Sequence, residues 1–509
     1  MLLLNTTSWH LNLLRHNIFW NWTLVSEYII LYSILIIIII ISITFFLSKY
    51  NYAYSQNKLV FNLFKNLVFM LFLILLVLNL FKFFIGFYSL RNSSQFLLYN
   101  LANYSNLSKY SNYLSIFSFD NIGFSDSIVL LSIISGLVCI VLLGDKNIYA
   151  NFSNITYFSF FMLATIFMVY TNNLLVLFLS FEFIFIPTIY FVYKLGYVKK
   201  TDKAVKYLLQ WTLSGAFLVL IVICYLFLTY KTLNINILQN YSFTVLEQVS
   251  ISLCVFIGFG VKIPVYPFHF WLTKVHVEAP AGFSIFLSGF LVKAAVYCFF
   301  FFNTLFFNKY TNTFILVVAL IGIWDSSIKM WSQLDFKKLI AFATIQEMNI
   351  ILLFLVINDN INDSSFILFI FIHGLLSTLM FFTVDIIQKR TITRNLIEIG
   401  GLSFNFLKIK VILWYILILF MGFPLTVKFI IEWKIVFLLY TQSFFFTLVT
   451  FLILNTVAVI GFTKQFLILL YGETKLLNNL TIDITKRDTF LFYFVGYILF
   501  LLNFFSLYI

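Results

Sequence analysis

Long apolar runs dominate this 509-residue sequence, and most of them are long enough to cross a lipid bilayer. A hydrocarbon core of ~30 Å needs about 20 predominantly apolar residues when the chain is helical. Only 10% of the residues are charged, whereas soluble domains carry roughly 25%. The mean hydropathy is +1.01. These values exclude an ordinary soluble protein, and we expect an all-α polytopic membrane protein.

Short polar connections divide the apolar runs into about 14 transmembrane helices. The predicted spans lie near residues 25–47, 61–88, 126–143, 154–170, 173–193, 204–229, 249–270, 281–302, 312–330, 336–356, 364–386, 409–438, 443–471 and 489–508. Pro264 and Pro267 lie inside the seventh span, and Pro424 lies inside the twelfth. Because proline removes a backbone donor and clashes with the preceding turn, we expect both spans to be broken at mid-depth.

Lysine and arginine are concentrated in the connections that follow odd-numbered spans, and the largest cluster, at 194–206, follows span 5. Connections after even-numbered spans contain few of them; the longest, with a polar stretch at 91–120, has Lys82, Arg91 and Lys109. The positive-inside rule therefore predicts that the odd-numbered loops face the positive-inside compartment and both termini the opposite side. No connection is long enough for a soluble catalytic domain.

The cysteines and the net charge argue against several other classes of protein. All four cysteines lie in apolar runs without a Cys-X-X-Cys pattern, which argues against a disulfide framework, a zinc site or an iron–sulfur cluster. The net charge of +13 is spread over many loops and does not form one basic face. Nucleic-acid binding is therefore not expected.

Ionisable residues lie inside the spans, although a charge at a helix centre costs about 2.5–3.5 kcal/mol on insertion scales. A single such charge is often a structural ion pair, but a set of this size in the central helices favours a line of proton-carrying groups. A buried lysine whose carboxylate partner approaches or withdraws can bind and release a proton. The set comprises Glu182, Lys262, Lys293, Asp325, Glu347, Asp385 and Glu432, with His269, His276 and His373 in or near the spans.

Position refines the expected roles of several of these residues. Lys262 lies two residues before Pro264, where unwound backbone must line a cavity or be buried in protein. Asp325 and Asp385 are interpreted as ion-pair partners near the membrane faces. Lys428 and Lys434 also lie in span 12, close enough to Glu432 to be simple ion-pair partners.

An acidic helix followed by a broken helix with an ionisable residue occurs twice. Glu182 and Glu347 are 165 residues apart, and Lys262 and Glu432 are 170 apart. This pattern is typical of two internal structural repeats with sites at their interface. A shift of five spans gives the two repeats opposite topology.

Residues 260–272 read Gly-Val-Lys-Ile-Pro-Val-Tyr-Pro-Phe-His-Phe-Trp-Leu, and residues 276–280 read His-Val-Glu-Ala-Pro. This segment resembles the broken-helix signature of the antiporter-like, proton-translocating subunits of respiratory complex I and of multisubunit cation/proton antiporters. The similarity runs from about span 4 to span 13. It includes Phe181-Glu182 with 186–188, Leu291-Val292-Lys293, 335–341, and His373-Gly374 with Arg390-Thr391.

Three features indicate a mitochondrial complex I member of the family. Span 12 carries Glu432 where other complex I members of the family have a lysine. The chain length and the fourteen predicted spans also fit such a member. The chain also ends within span 14, without the long lateral helix of one relative. The resemblance implies that Glu182 is the acidic partner that tunes the proton affinity of Lys262, the key lysine. It also implies that Lys293 is the connecting lysine of the proton route and that Glu432 is its acidic exit or terminal group.

Two positions depart from the family pattern. Span 10 reads Ile-Gln-Glu-Met at 345–348, where the family usually has a histidine. A proton relay through Glu347 would therefore use a carboxyl group, with an unperturbed pKa of ~4.3, in place of an imidazole, with an unperturbed pKa of ~6.5. Lys389 stands where a glutamate is usual before the Arg-Thr pair. His269 and His373 have either a relay or a structural role.

The resemblance implies a proton-translocating membrane-arm subunit of NADH:ubiquinone oxidoreductase in the mitochondrial inner membrane, with the odd-numbered loops towards the matrix and both termini towards the intermembrane space. We expect helices 1–3 in 1–150, two five-helix inverted repeats in 151–305 and 306–471, and helix 14 in 472–509. No redox chemistry or cofactor is expected in this chain, because NADH, FMN, iron–sulfur clusters and ubiquinone bind elsewhere in the complex.

The expected partners are other membrane-arm subunits, including neighbouring antiporter-like subunits, and lipids of the inner membrane. Two alternatives remain open. One is a subunit of a multisubunit cation/proton antiporter, with the same physics and no link to NADH. The other is a structural membrane scaffold whose charges form static pairs.

Overall fold

A computed structural model describes residues 29, 32–40, 70–80, 82, 122–143, 148–196, 201–306, 308–358, 364–473 and 483–506. Within these ranges the regular elements are helices, and β-pairing is limited to two isolated bridges. Nine of the described helices are long and apolar enough to cross a membrane. The prediction of an all-helical membrane protein is confirmed. The polar stretch at 91–120 and the ends of the first two predicted spans lie outside the described residues.

The long helices are numbered here from the first one that is described from end to end. They are α1 Ile122–Leu143, α2 Ile148–Tyr170, α3 Leu174–Leu195, α4 Thr201–Tyr230, α5 Val245–Lys262, α6 Phe270–Glu278, α7 Ala281–Phe306, α8 Lys309–Ser332, α9 Phe336–Ile357, α10 Ser364–Thr391, α11 Leu407–Met421, α12 Val427–Thr441, α13 Phe445–Tyr471 and α14 Lys486–Ser506. Short helices lie in the connections at Ile235–Leu238, Leu396–Ile399 and Leu402–Asn405. Shorter helical stretches precede α1 at 32–40 and Met70–Leu80.

Helices α7, α9 and α10 form the centre of the described bundle, with 94% or more of their apolar windows buried. A helix that is apolar around its whole circumference has no polar face for water and is stable inside a bundle. Helices α4 and α13 lie at the periphery, and only 33% and 22% of their windows are buried. Their outward faces expose large apolar side chains such as Phe217 and Phe446, which suits contact with lipid or with another membrane subunit.

The proline-containing spans are broken, as predicted. Helix α5 ends at Lys262 and α6 begins at Phe270, and the Trp271 indole N–H donates to the Val261 carbonyl at 2.7 Å. Helix α11 ends at Met421, followed by Gly422 in the left-handed region with φ of +65°. Helix α12 then begins at Val427, after the N-cap residue Thr426.

Two isolated β-bridges tie helix starts together in the same way. The first joins Asn173, which caps α3, to Asn234, which caps the short helix Ile235–Leu238. The second joins Asp335, which caps α9, to Asn395, which caps the short helix Leu396–Ile399. In each case a side-chain oxygen accepts from a backbone N–H that a helix start leaves unpaired. The bridges thereby fix the first turns of α3 and α9. These two helices carry Glu182 and Glu347 further along their length.

Glycines allow close backbone approach at two helix contacts near the ionisable residues. A Cβ atom on Gly215 of α4 would lie 2.6 Å from the Gly258 carbonyl oxygen of α5. A Cβ atom on Gly374 of α10 would lie 2.9 Å from the Gly289 carbonyl oxygen of α7. Small residues of this kind bring membrane helices into direct contact. The first contact lies one turn before Lys262, and the second lies beside His373.

Candidate functional site

Lys262, the last residue of α5, forms an ion pair with Glu182 of α3. The lysine is 2% exposed and the glutamate is 24% exposed. Its Nζ also lies 4.4 Å and 4.5 Å from the centres of the Phe181 and Phe185 rings, which attract a cation through their electron-rich faces. Among the described residues, Glu182 is the one carboxylate within 4.0 Å of Lys262. The charge of this buried lysine therefore depends on a single counter-ion.

His269 lies in the segment between α5 and α6 and is buried against α8. Its Nε2 lies 3.1 Å from the Asp325 carboxylate and 3.4 Å from the Lys329 Nζ. Lys329 in turn pairs with Asp325 at 2.7 Å, one turn apart on α8. Asp325 is therefore an ion-pair partner, as predicted. The contacts give His269 a structural anchor, and its relay role stays a prediction.

Lys293 is fully buried in α7, just after the π-helical turn Leu287–Leu291. Such turns interrupt the regular hydrogen-bond pattern and are frequent at functional sites. The Lys293 Nζ donates to the Ser288 carbonyl. No carboxylate of the described ranges lies within 4.0 Å of it, but Glu347 and His373 interact with it electrostatically. Lys293 is thus a buried lysine without a direct carboxylate partner among the described residues.

His373 and His276 are both buried, in different surroundings. His373 of α10 lies within electrostatic range of both Lys293 and Lys428. His276 of α6 stacks on the Phe381 ring, with 4.5 Å between the ring centres. His373 therefore belongs to the central line of ionisable residues, whereas His276 packs between the broken span and α10.

A second buried ion pair joins Glu347 of α9 to Lys428 of α12. Glu347 is 2% exposed and Lys428 is 5% exposed. The same Nζ lies 3.6 Å from a carboxylate oxygen of Glu432, one turn further along α12. It also donates to the Phe420 carbonyl at 2.6 Å, and it lies 4.3 Å from the Phe420 ring centre. The predicted contact between Lys428 and Glu432 is confirmed, but the salt bridge to Glu347 was not foreseen.

The two lysines share a sequence spacing, a position beside a helix break and contact with a phenylalanine ring. Lys262 follows Glu182 by 80 residues, and Lys428 follows Glu347 by 81. Each lysine lies beside a helix break, and each contacts a phenylalanine ring. This nearly equal spacing is the sequence signal by which Lys428 could have been recognised as more than a local partner of Glu432.

A third buried ion pair lies outside the expected set. Lys82 contacts Asp126 of α1 at 2.9 Å and the Tyr170 hydroxyl at 2.7 Å, and the Tyr170 hydroxyl donates to Asp126 at 2.9 Å. Lys82 and Asp126 are 3% and 1% exposed. The assignment of Lys82 to a polar connection is therefore wrong. A lysine near the end of a span resembles a loop charge in sequence until its buried partner is known.

Lys434 and Asp385 have partners other than the central line. The Lys434 Nζ donates to the Ser365 hydroxyl at 2.8 Å. Asp385 pairs with Lys389 at 2.6 Å, one turn apart on α10, as predicted for a partner near the membrane face. The remaining line runs from α3 to α12 and comprises Glu182, Lys262, Lys293, His373, Glu347, Lys428 and Glu432.

Residues 171–458 match a protein family described as NADH:quinone oxidoreductase/Mrp antiporter, TM. Among curated proteins, the chain is 32% identical over 369 residues to NADH-ubiquinone oxidoreductase chain 4 of Paramecium tetraurelia. That alignment covers 72% of this chain and 77% of the relative. The matched family segment includes every member of the central line.

Two solved assemblies contain chains of similar fold. A chain of respiratory complex I from Thermus thermophilus has a TM-score of 0.66 at 18% identity, covering 74% of this chain and 79% of that chain. A chain of the Mrp complex from Dietzia sp. DQ12-45-1b has a TM-score of 0.66 at 16% identity, covering 84% and 86%. At these identities the similarity concerns the fold.

Proposed function

The chain belongs to the membrane-subunit family of NADH:quinone oxidoreductase and Mrp antiporters, and on this basis we propose that it translocates protons as a subunit of NADH:ubiquinone oxidoreductase. The observation that carries the proposal is the Glu182–Lys262 ion pair, buried at the end of a broken helix. A static pair is a poor reason to keep a lysine there, because burying an ion pair is often no more stabilising than apolar packing.

In the proposed route a proton enters from the positive-inside face and is held by Lys262. It then moves laterally through Lys293 and Glu347 towards Glu432, from which it leaves on the other side. Glu182 sets how firmly Lys262 holds its proton, because an adjacent carboxylate stabilises the charged amine. Lys293 and Lys428 both act electrostatically on His373, which supports a relay role for it. His269 is held by Asp325 and Lys329, which supports a structural role.

We further propose that the chain has fourteen spans and two inverted repeats, at 151–305 and 306–471. The recurrence of the capped bridges supports this organisation, since Asn173 and Asn234 are followed by Asp335 and Asn395 after 162 and 161 residues. The Glu–Lys spacings of 80 and 81 residues support it independently. Helices 1–3 within 1–150 and helix 14 within 472–509 would flank the repeats.

The relative from Paramecium tetraurelia is named for a complex that oxidises NADH and reduces ubiquinone. We therefore place the chain in the mitochondrial inner membrane, with the odd-numbered loops towards the matrix and both termini towards the intermembrane space. Its partners would be neighbouring membrane-arm subunits and lipids. NADH, FMN, iron–sulfur clusters and ubiquinone would bind to other subunits, so that this chain moves protons without redox chemistry of its own.

The test replaces Lys262 by alanine in the assembled complex. We expect NADH-driven proton uptake into sealed membrane vesicles to be lost, while the complex still assembles. Lys274→Ala is the matched control, because Lys274 is an exposed lysine on α6 of the same broken span. Unchanged uptake in Lys262→Ala would contradict the proposal. Purification of the native chain with antiporter subunits and without NADH–quinone activity would contradict its assignment to complex I.

A further inference from the structure

Lys428 contacts two carboxylates at the second helix break, the buried Glu347 and the partly buried Glu432. We propose that Lys428 is a second proton-carrying lysine, which receives and releases the translocated proton together with Glu347 and Glu432. The inference rests on the proposed function. It adds a residue that had been interpreted as a simple ion-pair partner.

The charges of this cluster favour proton binding. Two ionised carboxylates and one ammonium group give these three residues a net charge of −1 whenever Lys293, the other amine that acts on Glu347, is neutral. An unbalanced buried charge is costly, so binding of one further proton by a carboxylate neutralises the cluster. Among the described residues, Oε2 of Glu347 has no hydrogen-bond partner and is available to accept that proton.

The break itself supplies a polar contact for the lysine. In a regular helix the Phe420 carbonyl would accept from the backbone N–H four residues later, but that residue is Pro424, which has none. The Lys428 Nζ donates to this carbonyl at 2.6 Å. The ammonium group thus takes the place of the missing backbone donor. A neutral amine can keep this hydrogen bond, so the lysine can lose its proton without leaving the carbonyl unpaired.

The transfer step balances within the cluster. A proton passes from the Lys428 ammonium to a Glu432 oxygen, as an N–H bond breaks and an O–H bond forms. The ion pair becomes a neutral amine and a neutral carboxyl group. The two atoms are 3.6 Å apart, so they must approach to hydrogen-bond distance before transfer. Lys428 is then ready to accept a proton from the side of Glu347 and Lys293.

A static ion pair and a proton carrier differ in their response to arginine. Lys428→Arg keeps the positive charge and the ability to bind both carboxylates, but a guanidinium does not release its proton in proteins. A static pair would tolerate this change, whereas a proton carrier would not. Lys434→Arg is the matched control, because Lys434 lies on the same helix and donates to a hydroxyl group outside the cluster.

The experiment measures proton uptake per NADH oxidised in sealed vesicles that contain the assembled complex. We expect loss of uptake in Lys428→Arg and native uptake in Lys434→Arg. Lys262→Arg is measured alongside. Native uptake in Lys428→Arg with loss in Lys262→Arg would overturn this inference and leave the proposed function intact. Native uptake in both would overturn the two together.

A second variant covers the case in which the arginine does not fit and the complex does not assemble. Lys428→Gln removes the titratable amine, keeps an N–H donor for the Phe420 carbonyl, and leaves both carboxylates of the proposed route in place. Assembled complex that pumps at the native ratio would overturn the inference. Assembled complex without uptake supports it, because Glu347 and Glu432 remain and the amine of Lys428 is the one titratable group that has been removed.

Discussion

The strongest single test of the electrostatic reasoning is Glu182→Gln. Glutamine keeps the size of the side chain and can still accept a hydrogen bond from Lys262, but it removes the negative charge. Lys262 would then have no carboxylate within 4.0 Å among the described residues. The two phenylalanine rings at 4.4 Å and 4.5 Å would remain, and each is worth only about 0.5–2 kcal/mol to a cation.

The size of the effect follows from the burial of the pair. Removing one partner of a buried ion pair typically costs about 3–5 kcal/mol. Because Glu182 is 24% exposed, screening by water places this pair near the lower end, at about 3 kcal/mol. At about 1.4 kcal/mol per factor of ten, the ratio of charged to neutral Lys262 falls roughly a hundredfold. The fraction of Lys262 that is charged changes by less than this ratio, so we expect NADH-driven proton uptake to fall by about tenfold or more.

Sealed vesicles containing the assembled complex, a pH-sensitive dye and NADH provide the assay. Glu247→Gln is the control, since Glu247 lies at the start of α5, the helix that ends at Lys262, and caps it, a role that glutamine also fills. Uptake in the Glu182 variant at the level of the Glu247 variant would refute the reasoning. It would mean that the charge of Lys262 does not depend on its observed counter-ion.

Three further changes test the packing around the line. Lys82→Met should destabilise the assembled chain by about 3–5 kcal/mol, because it leaves Asp126 without its cation. Adding Asp126→Asn should recover much of this loss. The thermal midpoint of the detergent-solubilised complex measures both effects. Gly258→Ala should cost about 1–3 kcal/mol in the same assay, because the new Cβ atom would lie 2.9 Å from the Gly215 carbonyl oxygen in a tightly packed contact; an unchanged midpoint would contradict the observed contact. Thr426→Ala removes the cap of α12 and should lower the midpoint by the equivalent of about 0.5–2 kcal/mol, whereas Thr426→Ser should not.

The sequence was sufficient for the features that depend on local chemistry. Proline lacks a backbone donor wherever it occurs, so the breaks near Pro264 and Pro424 could be predicted from position alone. A charge in an apolar run stands out equally well, which identified Lys262, Lys293 and Glu347 as buried groups before their contacts were known. These predictions needed no knowledge of which helices pack together.

Pairings between distant helices could not be predicted in this way. Lys428 and Glu432 are one helical turn apart, so sequence favours their pairing, whereas Glu347 lies 81 residues away. The packing of α12 against α9 brings Lys428 and Glu347 together. The prediction for Lys82 was wrong for a related reason. Both loop charges and buried charges occur near the ends of spans, and sequence alone does not distinguish them.

The two helix breaks make different demands on their lysines. At the first break the Trp271 indole N–H donates to the Val261 carbonyl. The Lys262 amine does not have to donate to that carbonyl, and its charge depends mainly on Glu182. At the second break the Lys428 amine donates to the Phe420 carbonyl and also contacts the carboxylates of Glu347 and Glu432. A group held by several partners loses a smaller part of its stabilisation when one of them moves. Movement of one carboxylate would therefore change the charge of Lys262 more than that of Lys428, which makes the first break the more responsive of the two to a shift of helices.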